Sequence, residues 1–382
     1  LSIQRIREDI LFLAGRIPHR RAASEEEEVA ASYVLEQFQS TNPMARVEPF
    51  ATVESFGLVF ALYCAEFFLV FLLGTWFPGT SAGYGTVVFI LFLLELAGKN
   101  PLSRIIPLYE SQNIVAPINS VERKKLVIIT ANYDTPLCNS IRGWIGAKAY
   151  NLFNCATLLA MMMIIVGSVG VSMGDQALAI PFEIARWSGF VFLVLATMTW
   201  LLFGKMGEDT RGAVQSASGI AVELEIARRL REKKMQNTDV WLVAIGSGEA
   251  SRAGIQRALR PGDDINPKDT MLINLVSVGS GELNYTVKEK SLTSYGMENA
   301  FSKVVSSAGS LFGIQSLTYG GIPTNAFWAM SQGIEATSII GWDNNTAAFF
   351  NQSKDTVESV NVEQVEKTAD FIQEIIQKLD NS

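Results

Sequence analysis

An α/β fold is predicted, with a mainly parallel mixed sheet, helices on both faces, and two transmembrane helical hairpins interrupting it. Three observations point to it. Strand-like runs alternate with amphipathic helical runs. Four near-uniform apolar blocks arrive in two close pairs. The polar stretches before and between those pairs are each too small for a core, so they must join the long C-terminal stretch in one globular domain.

Composition narrows the class. Of 382 residues only 18% are charged, the formal charge is −7, and hydrophobic residues make up 48%. No basic surface for nucleic acid is indicated. The hydrophobic excess is concentrated in Ser55 to Phe77, Ala82 to Gly98, Cys155 to Gly174 and Trp187 to Gly204. Each block is about 17 to 23 residues long, enough to cross a hydrocarbon core as a helix. Trp76, Trp187 and Trp200 near their ends suit the interfacial belt. None of the blocks carries the polar stripe that a buried helix of a soluble domain would keep. The lipid bilayer is therefore an expected partner. Connections are expected at Pro78 to Ser81 and Asp175 to Arg186. The implied layout is a globular domain from 1–54, 99–140 and 205–382, with hairpins at 55–98 and 141–204.

Taken in order, the elements outside the blocks begin with a helix. Ser24 and Glu27 form a capping box before "VAASYVLEQF", and the acidic run Glu25 to Glu28 suits the positive end of a helix dipole better than a metal site. Strands are expected at "ARVEPFATV", "NIVAPI", "KLVIITA", "DVWLVAIG" and "TMLINLVSV". Amphipathic helices are expected from near Ser216 through "IAVELEIARRLREKK" and at the terminal "VNVEQVEKTADFIQEIIQKL". The three cysteines, Cys64, Cys138 and Cys155, do not form a disulfide framework. The chain begins at Leu1 rather than Met, which leaves open whether a leader preceded it.

The stretch "VIITANYDTP" ends a strand in a polar cluster, a common way for an α/β protein to present chemistry at the end of its sheet. With "GAVQSASG", "GSGEASRAG", "NLVSVG" and "FFNQSKDTVESVN" in that order, after "LAGRIPHRRAASEEEEVAASYVLEQF", it resembles the di-zinc aminopeptidases and carboxypeptidases of the aminopeptidase Y and glutamate carboxypeptidase type. Nicastrin and nicalin carry relatives of that fold. The second hairpin separates two motifs that lie close together in the family, and deleting it restores their spacing. The resemblance implies a zinc-exopeptidase-like fold and assigns site positions one by one. Asn132 stands where the family has a zinc-binding His, with Asp134 kept as the residue that would orient it. Gln215 replaces the Asp that bridges both metals. Gly248 stands at the general-base position, and Glu249 matches the neighbouring zinc-binding Glu. Val276, between Asn274 and Gly279, replaces an Asp ligand. Asn351 replaces the final His, ahead of Asp355 and Thr356.

On this mapping four of five ligands and the general base are absent. Two divalent ions held close together need several anionic or imidazole ligands, and Glu249 alone cannot neutralise them. His19, the one histidine in the chain, reads as a surface residue rather than a ligand. Without a second imidazole, no Ser–His or Cys–His pairing can be built either. No cofactor is therefore expected. Asn132, Asp134, Gln215, Glu249, Asn351 and Asp355 are expected to form a polar network. It either binds a ligand without metal or simply satisfies itself in a collapsed pocket.

Glu66, near the middle of the first block, must be protonated, paired or turned toward protein. It and the small-residue face Gly167, Gly170 and Gly174 are expected to meet other protein rather than lipid. Glu95, near the end of the second block, is expected to reach the interface. Basic residues (Lys99, Arg104, Arg142, Lys148, Lys205, Arg211) flank the blocks on the globular side, against Arg186 alone in the opposite connections. This charge bias puts the globular domain on the cytoplasmic side, with the periplasmic or lumenal side as the alternative. The sequons at Asn284, Asn344 and Asn351 matter only in that alternative. Because the second hairpin follows the strand holding Asn132, the cleft is expected near the bilayer, bordered by Cys138 to Asn154 and Lys205 to Thr210.

The expected function is a catalytically inactive, membrane-anchored scaffold or accessory subunit working with other membrane protein subunits. One alternative is an active membrane-bound zinc metallopeptidase of aminopeptidase type. A second is a binding module for a peptide or lipid in the former cleft.

Overall fold

The computed structural model describes residues 2–17, 19–97, 99–106, 109–138, 141–173, 176–203, 208–232, 234–260, 265–291, 293–297 and 300–382. The chain divides into two compact units. One comprises Leu1–Glu54, Pro107–Leu137 and Asp209–Ser382, and the other Ser55–Ile106 and Cys138–Glu208. The described residues 99–106, 138 and 208, expected in the globular domain, thus go with the apolar helices.

The first unit is built on a ten-stranded mixed sheet. Its strands are β1 (Arg46–Thr52), β2 (Tyr109–Ile118), β3 (Lys125–Asn132), β4 (Thr238–Ile245), β5 (Thr270–Val276), β6 (Glu282–Lys290), β7 (Ser294–Gly296), β8 (Gln315–Gly320), β9 (Glu335–Asp343) and β10 (Thr346–Ala347). The order is β1-β2-β4-β3-β5-β9-β6-β7, with β8 beside β6 and β10 beside β9. The centre is parallel: β3 pairs with β4 and β5, and β5 with β9. Antiparallel pairs β1–β2, β2–β4 and β6–β9 flank it. The five strands expected from sequence are β1 to β5. Those from β6 onward were not read in advance, because their apolar residues are interspersed with polar ones.

Helices cover both faces. On one side lie α1 (Ser2–Ile10), α2 (Glu25–Thr41), α7 (Ser218–Glu232), α9 (Ala300–Phe312) and α11 (Val362–Asp380). They close a core that takes Val127, Ile129 and Ala131 of β3. On the other side, α8 (Ala253–Ala258) and α10 (Asn325–Ser331) cover Leu126 and Ile128 of the same strand. Burial on both faces is why this strand reads as an unbroken apolar run. Ser24 caps α2 by accepting from Glu27 N at 3.2 Å. The Glu27 carboxylate bonds Ala23 N at 2.6 Å rather than Ser24, so the box is only half formed.

One buried side chain joins three parts of this unit. Arg20 donates through Nε to Tyr133 O at 2.7 Å, through Nη1 to Leu13 O and to Arg211 O at 3.0 Å, and through Nη2 to Gly212 O at 3.2 Å. Gly212 has a φ of 58°, and a Cβ there would lie 2.5 Å from Thr135. Glycine is required by both the conformation and the space.

The second unit holds four helices long and apolar enough to cross a membrane: α3 (Phe56–Trp76), α4 (Pro78–Leu96), α5 (Ile141–Ser172) and α6 (Gln176–Phe203). Two expected connections change. Pro78 begins α4, where its missing N–H costs nothing, so the α3–α4 turn shrinks to Phe77. Arg186 is not in a loop but inside α6. The helix continues through Pro181, and Arg186 pairs with Glu183 at 2.7 Å, one turn back. The guanidinium also donates to Phe71 O at 3.0 Å. Glu95 does not reach outward either. It is buried, accepting from Tyr63 at 3.1 Å, Leu102 N at 3.0 Å and Ser103.

The glycine face of α5 meets this chain itself. A Cβ on Gly170 would lie 2.1 Å from the Phe182 ring, and one on Gly167 would lie 2.3 Å from Arg186. Gly174 lies outside the described residues, as does Lys205. Small residues here let α5 and α6 approach closely. Gly170→Leu is accordingly expected to lower the unfolding temperature of the whole chain in detergent. Gly79→Ala should leave it unchanged, since nothing lies within 4 Å of the added carbon. Equal unfolding temperatures for the two variants would mean that Gly170 does not pack this pair.

Candidate functional site

The site forms at the C-terminal ends of the parallel strands. Residues two apart on a strand share a face, so Thr130 and Asn132 continue the row begun by Leu126 and Ile128, and Asn274 continues from Leu272. This face is apolar at one end of the strands and amide-lined at the other. Asn132 Nδ2 donates to Glu249 Oε1 at 3.1 Å. Its Oδ1 accepts from Asn325 Nδ2 at 2.9 Å, and the same Asn325 amide reaches Asn274 Oδ1 at 3.1 Å. Asn274 is further held by Thr130 at 3.1 Å and donates to Ser338 at 3.2 Å.

Opposite stands Gln215, in the π-helical turn Ala213–Ala217 that precedes α7. Its Oε1 accepts from Asn351 N at 2.9 Å and its Nε2 donates to Asn351 Oδ1 at 3.3 Å. It lies near enough to Glu249 to favour that residue's charged form. Asn351 has a φ of 53° and Phe349 one of 55°. Asn tolerates the left-handed region but a Phe is strained there, and the two bonds to Gln215 help hold the turn. Asn132 with Glu249, and Gln215 with Asn351, thus form two bonded pairs, with Asn132, Glu249 and Asn351 partly exposed.

Asp134 and Asp355 belong to the layer beneath. Asp134 accepts from Gly248 N at 3.0 Å and Glu249 N at 2.9 Å, which fixes the loop after β4. Asp355 accepts from Val214 N at 2.6 Å and Gln215 N at 3.1 Å, which fixes the π turn. Burial, then the nearby Glu249 and Glu27 carboxylates, push Asp134 well above the usual carboxylate range. Burial also raises Asp355, to about 6, against the pull of its backbone donors and of Arg20. Glu249 is raised by burial, offset in part by Asn132 and Gln215.

Two positions are closed to the chemistry that the resemblance implies. A Cβ on Gly248 would lie 2.5 Å from the Asn132 amide, so any side chain at the general-base position must displace Asn132. Val276 packs with Tyr319, Ile340, Ala347, Trp342 and Phe350, a largely apolar setting without a carboxylate or imidazole to offer a cation. Among the described residues, no group of three or more His, Cys, Asp or Glu side chains could hold a metal ion. One partly exposed carboxylate among neutral amides does not fit two zinc ions, which favour imidazole, thiolate and carboxylate donors. His19 lies apart from the network, 3.7 Å from both Glu26 and Asp209. Of the sequon asparagines, Asn344 is exposed, Asn284 is buried and Asn351 is held by Gln215.

Two residues join the site through tertiary contacts, Glu27 and Asn325. Glu27 is buried and accepts from Ser247 N at 2.8 Å and Ser111 at 3.1 Å, which ties α2 to the loop that carries Glu249. Burial raises it to about 7, against its backbone and Ser111 donors. A signal existed, since Glu27 shares the helix stripe of Ala30, Ala31, Val34 and Phe38, all buried. Asn325 had none, because its partners are 193 and 51 residues away in the chain.

The comparisons with known proteins agree with this geometry. The profile of peptidase family M28 matches residues 197–376, a little under half of the chain. The zinc aminopeptidase BSAP from Bacillus subtilis superposes with a TM-score of 0.58 at 14% identity, over 98% of this chain and 94% of that one. The aminopeptidase from Aneurinibacillus sp. strain AM-1 gives 0.58 at 15% identity, over 98% and 93%. The glutaminyl cyclase of Tannerella forsythia gives 0.57 at 14% identity, over 98% and 97%. No curated protein matches the chain significantly. The α/β unit has the fold of the zinc exopeptidases.

The raised carboxyls set a direction for pH dependence. Glu27 and Asp355 hold protons more tightly folded than unfolded, so their contribution is full below about pH 4 and lost as pH rises through about 6 and 7. Each shift corresponds to at most roughly 3 kcal/mol. The unfolding temperature of the whole chain is expected to fall between about pH 5 and pH 8, and Glu27→Gln should flatten the slope. A rise over that range would show these carboxyls to be ionised in the folded chain.

Proposed function

We propose that the chain is a catalytically silent member of the M28 exopeptidase group, anchored in a membrane by four spans, that serves as a scaffold or accessory subunit of a membrane complex. The observation that carries this reading is that the amides Asn132, Gln215 and Asn351 occupy three positions that the resemblance pairs with metal ligands and are engaged in protein hydrogen bonds, Asn132 with Glu249 and Asn325, Gln215 with Asn351. Gly248 packed under Asn132 and Val276 set among aromatic rings support the same conclusion. The match to family M28 and the exopeptidase fold supply the ancestry. With Arg186 inside α6, no basic residue remains in the short α5–α6 connection, which favours placing the α/β unit on the cytoplasmic side.

A second reading has one observation in its favour. Asn132, Glu249 and Asn351 stay partly exposed, and Val276, in the Trp342–Phe350 cluster, takes the place of a further ligand. This suits a metal-free binding pit for a peptide or lipid.

Metal content with activity separates silence from catalysis. The full chain, purified in mild detergent and incubated with zinc, is expected to retain well below one equivalent and to release no amino acid from peptides. It should also co-purify with other membrane subunits. Stoichiometric zinc, lost to a chelator together with peptidase activity, would overturn the proposal in favour of a working metallopeptidase.

A further inference from the structure

Among the described residues of the apolar unit, the buried polar side chains are largely bonded within the unit itself. Ser81 donates to Val70 O at 2.6 Å, Ser168 to Ile164 O at 2.8 Å, and Thr157, Thr197 and Thr199 each to the carbonyl one turn back. Arg186 and Glu95 are buried and bonded as described above. Glu66 differs. It is the midpoint of α3, it is partly exposed, and among the described residues its carboxyl has one partner, the Tyr84 hydroxyl of α4, on one of its two oxygens. Leu62 and Leu69, four residues before it and three after, are exposed on the same helix face, and on α4 Val87 and Leu91 continue the row of Tyr84. An apolar surface thus carries a single acceptor at the depth where hydrocarbon offers no donor. The outward residues of α5 are, by contrast, mostly apolar: Leu159, Met162, Val166 and Val169.

We propose that the Leu62–Glu66–Leu69 face of α3, with Tyr84 of α4, docks a transmembrane helix of another protein that brings a hydrogen-bond donor side chain to the level of Glu66. The free carboxyl oxygen selects this occupant. A lipid tail leaves the oxygen bare in hydrocarbon at a cost of kilocalories, whereas a Lys, Arg, His, Asn, Gln, Ser or Thr on a neighbouring span satisfies it. The inference rests on the accessory-subunit reading and names the kind of partner.

The test places a photo-crosslinking amino acid at Leu69 of the full chain in native membranes and identifies the adduct by mass spectrometry. A transmembrane peptide of another protein with a donor residue at the matching depth is expected. Its yield should fall roughly fivefold or more with Glu66→Leu and partly recover with Glu66→Gln, the scale on which interhelical hydrogen bonds act. Adducts to lipid alone, or a yield indifferent to Glu66→Leu, overturn the docking site. Adducts to a second copy of this chain overturn the heterologous partner. None of these results touches the accessory-subunit reading, which fails separately if the protein retains zinc and cleaves peptides. Far-UV circular dichroism of both variants confirms that the loss is not misfolding.

Discussion

Arg20 carries a positive charge into a region where its hydrogen bonds all end on backbone carbonyls. Burial lowers its pKa to about 10, and the Asp355 and Asp134 carboxylates pull it back up. Removing a guanidinium from water is tolerable only when nearly every N–H is matched, and here carbonyls from Leu13, Tyr133, Arg211 and Gly212 do the matching. A second tie sits beside it, where Thr135 N donates to Arg20 O and Arg20 N to Thr135 Oγ1, each at 2.8 Å. These contacts fasten the N-terminal segment, the exit of β3 and the segment that resumes after α6. They set where Asn132, Asp134 and Gln215 can stand.

The same logic separates the two layers of the site. Asp134, Asp355 and Glu27 spend their oxygens mainly on backbone amides, which holds the loops whether or not a metal is nearby. Asn132 instead bonds the side chains of Glu249 and Asn325, and Gln215 pairs with Asn351. Replacing a ligand in this upper layer by an amide leaves the lower layer intact, because an amide supplies both donor and acceptor. Buried carboxyls that are raised rather than lowered follow from such a layer, where shielding from water outweighs the few positive charges at hand.

In the apolar unit the constraint is steric. Gly167, Gly170 and Gly189 bring α5 and α6 so close that an added Cβ would meet Arg186, Phe182 or the Ala160 carbonyl. Gly74 makes the corresponding room on α3 for the Arg186 guanidinium, which also lies 5.1 Å from the centre of the Phe71 ring. A charge is accommodated there by a carbonyl, an aromatic face and Glu183 together.

The sequence by itself determined the α/β class, strands β1 to β5, the two pairs of apolar helices and the identity of the residues at the site. Those rest on local periodicity, which survives in one dimension: Val127 and Ile128 announce a strand buried on both faces wherever it folds. It also determined that amide, glycine and valine side chains stand at the site, because residue identity does not depend on packing. Tertiary structure alone decided how those residues are used. That Glu27 leaves its helix cap for the Ser247 amide, that Arg20 fills with carbonyls, and that Asn325 bridges Asn132 to Asn274 all depend on partners far away in the chain. It also turned the Gly167–Gly170 face inward and drew Arg186 into α6. A hydrogen bond or a close approach between distant segments leaves no period in the sequence, so only the assembled fold reveals it.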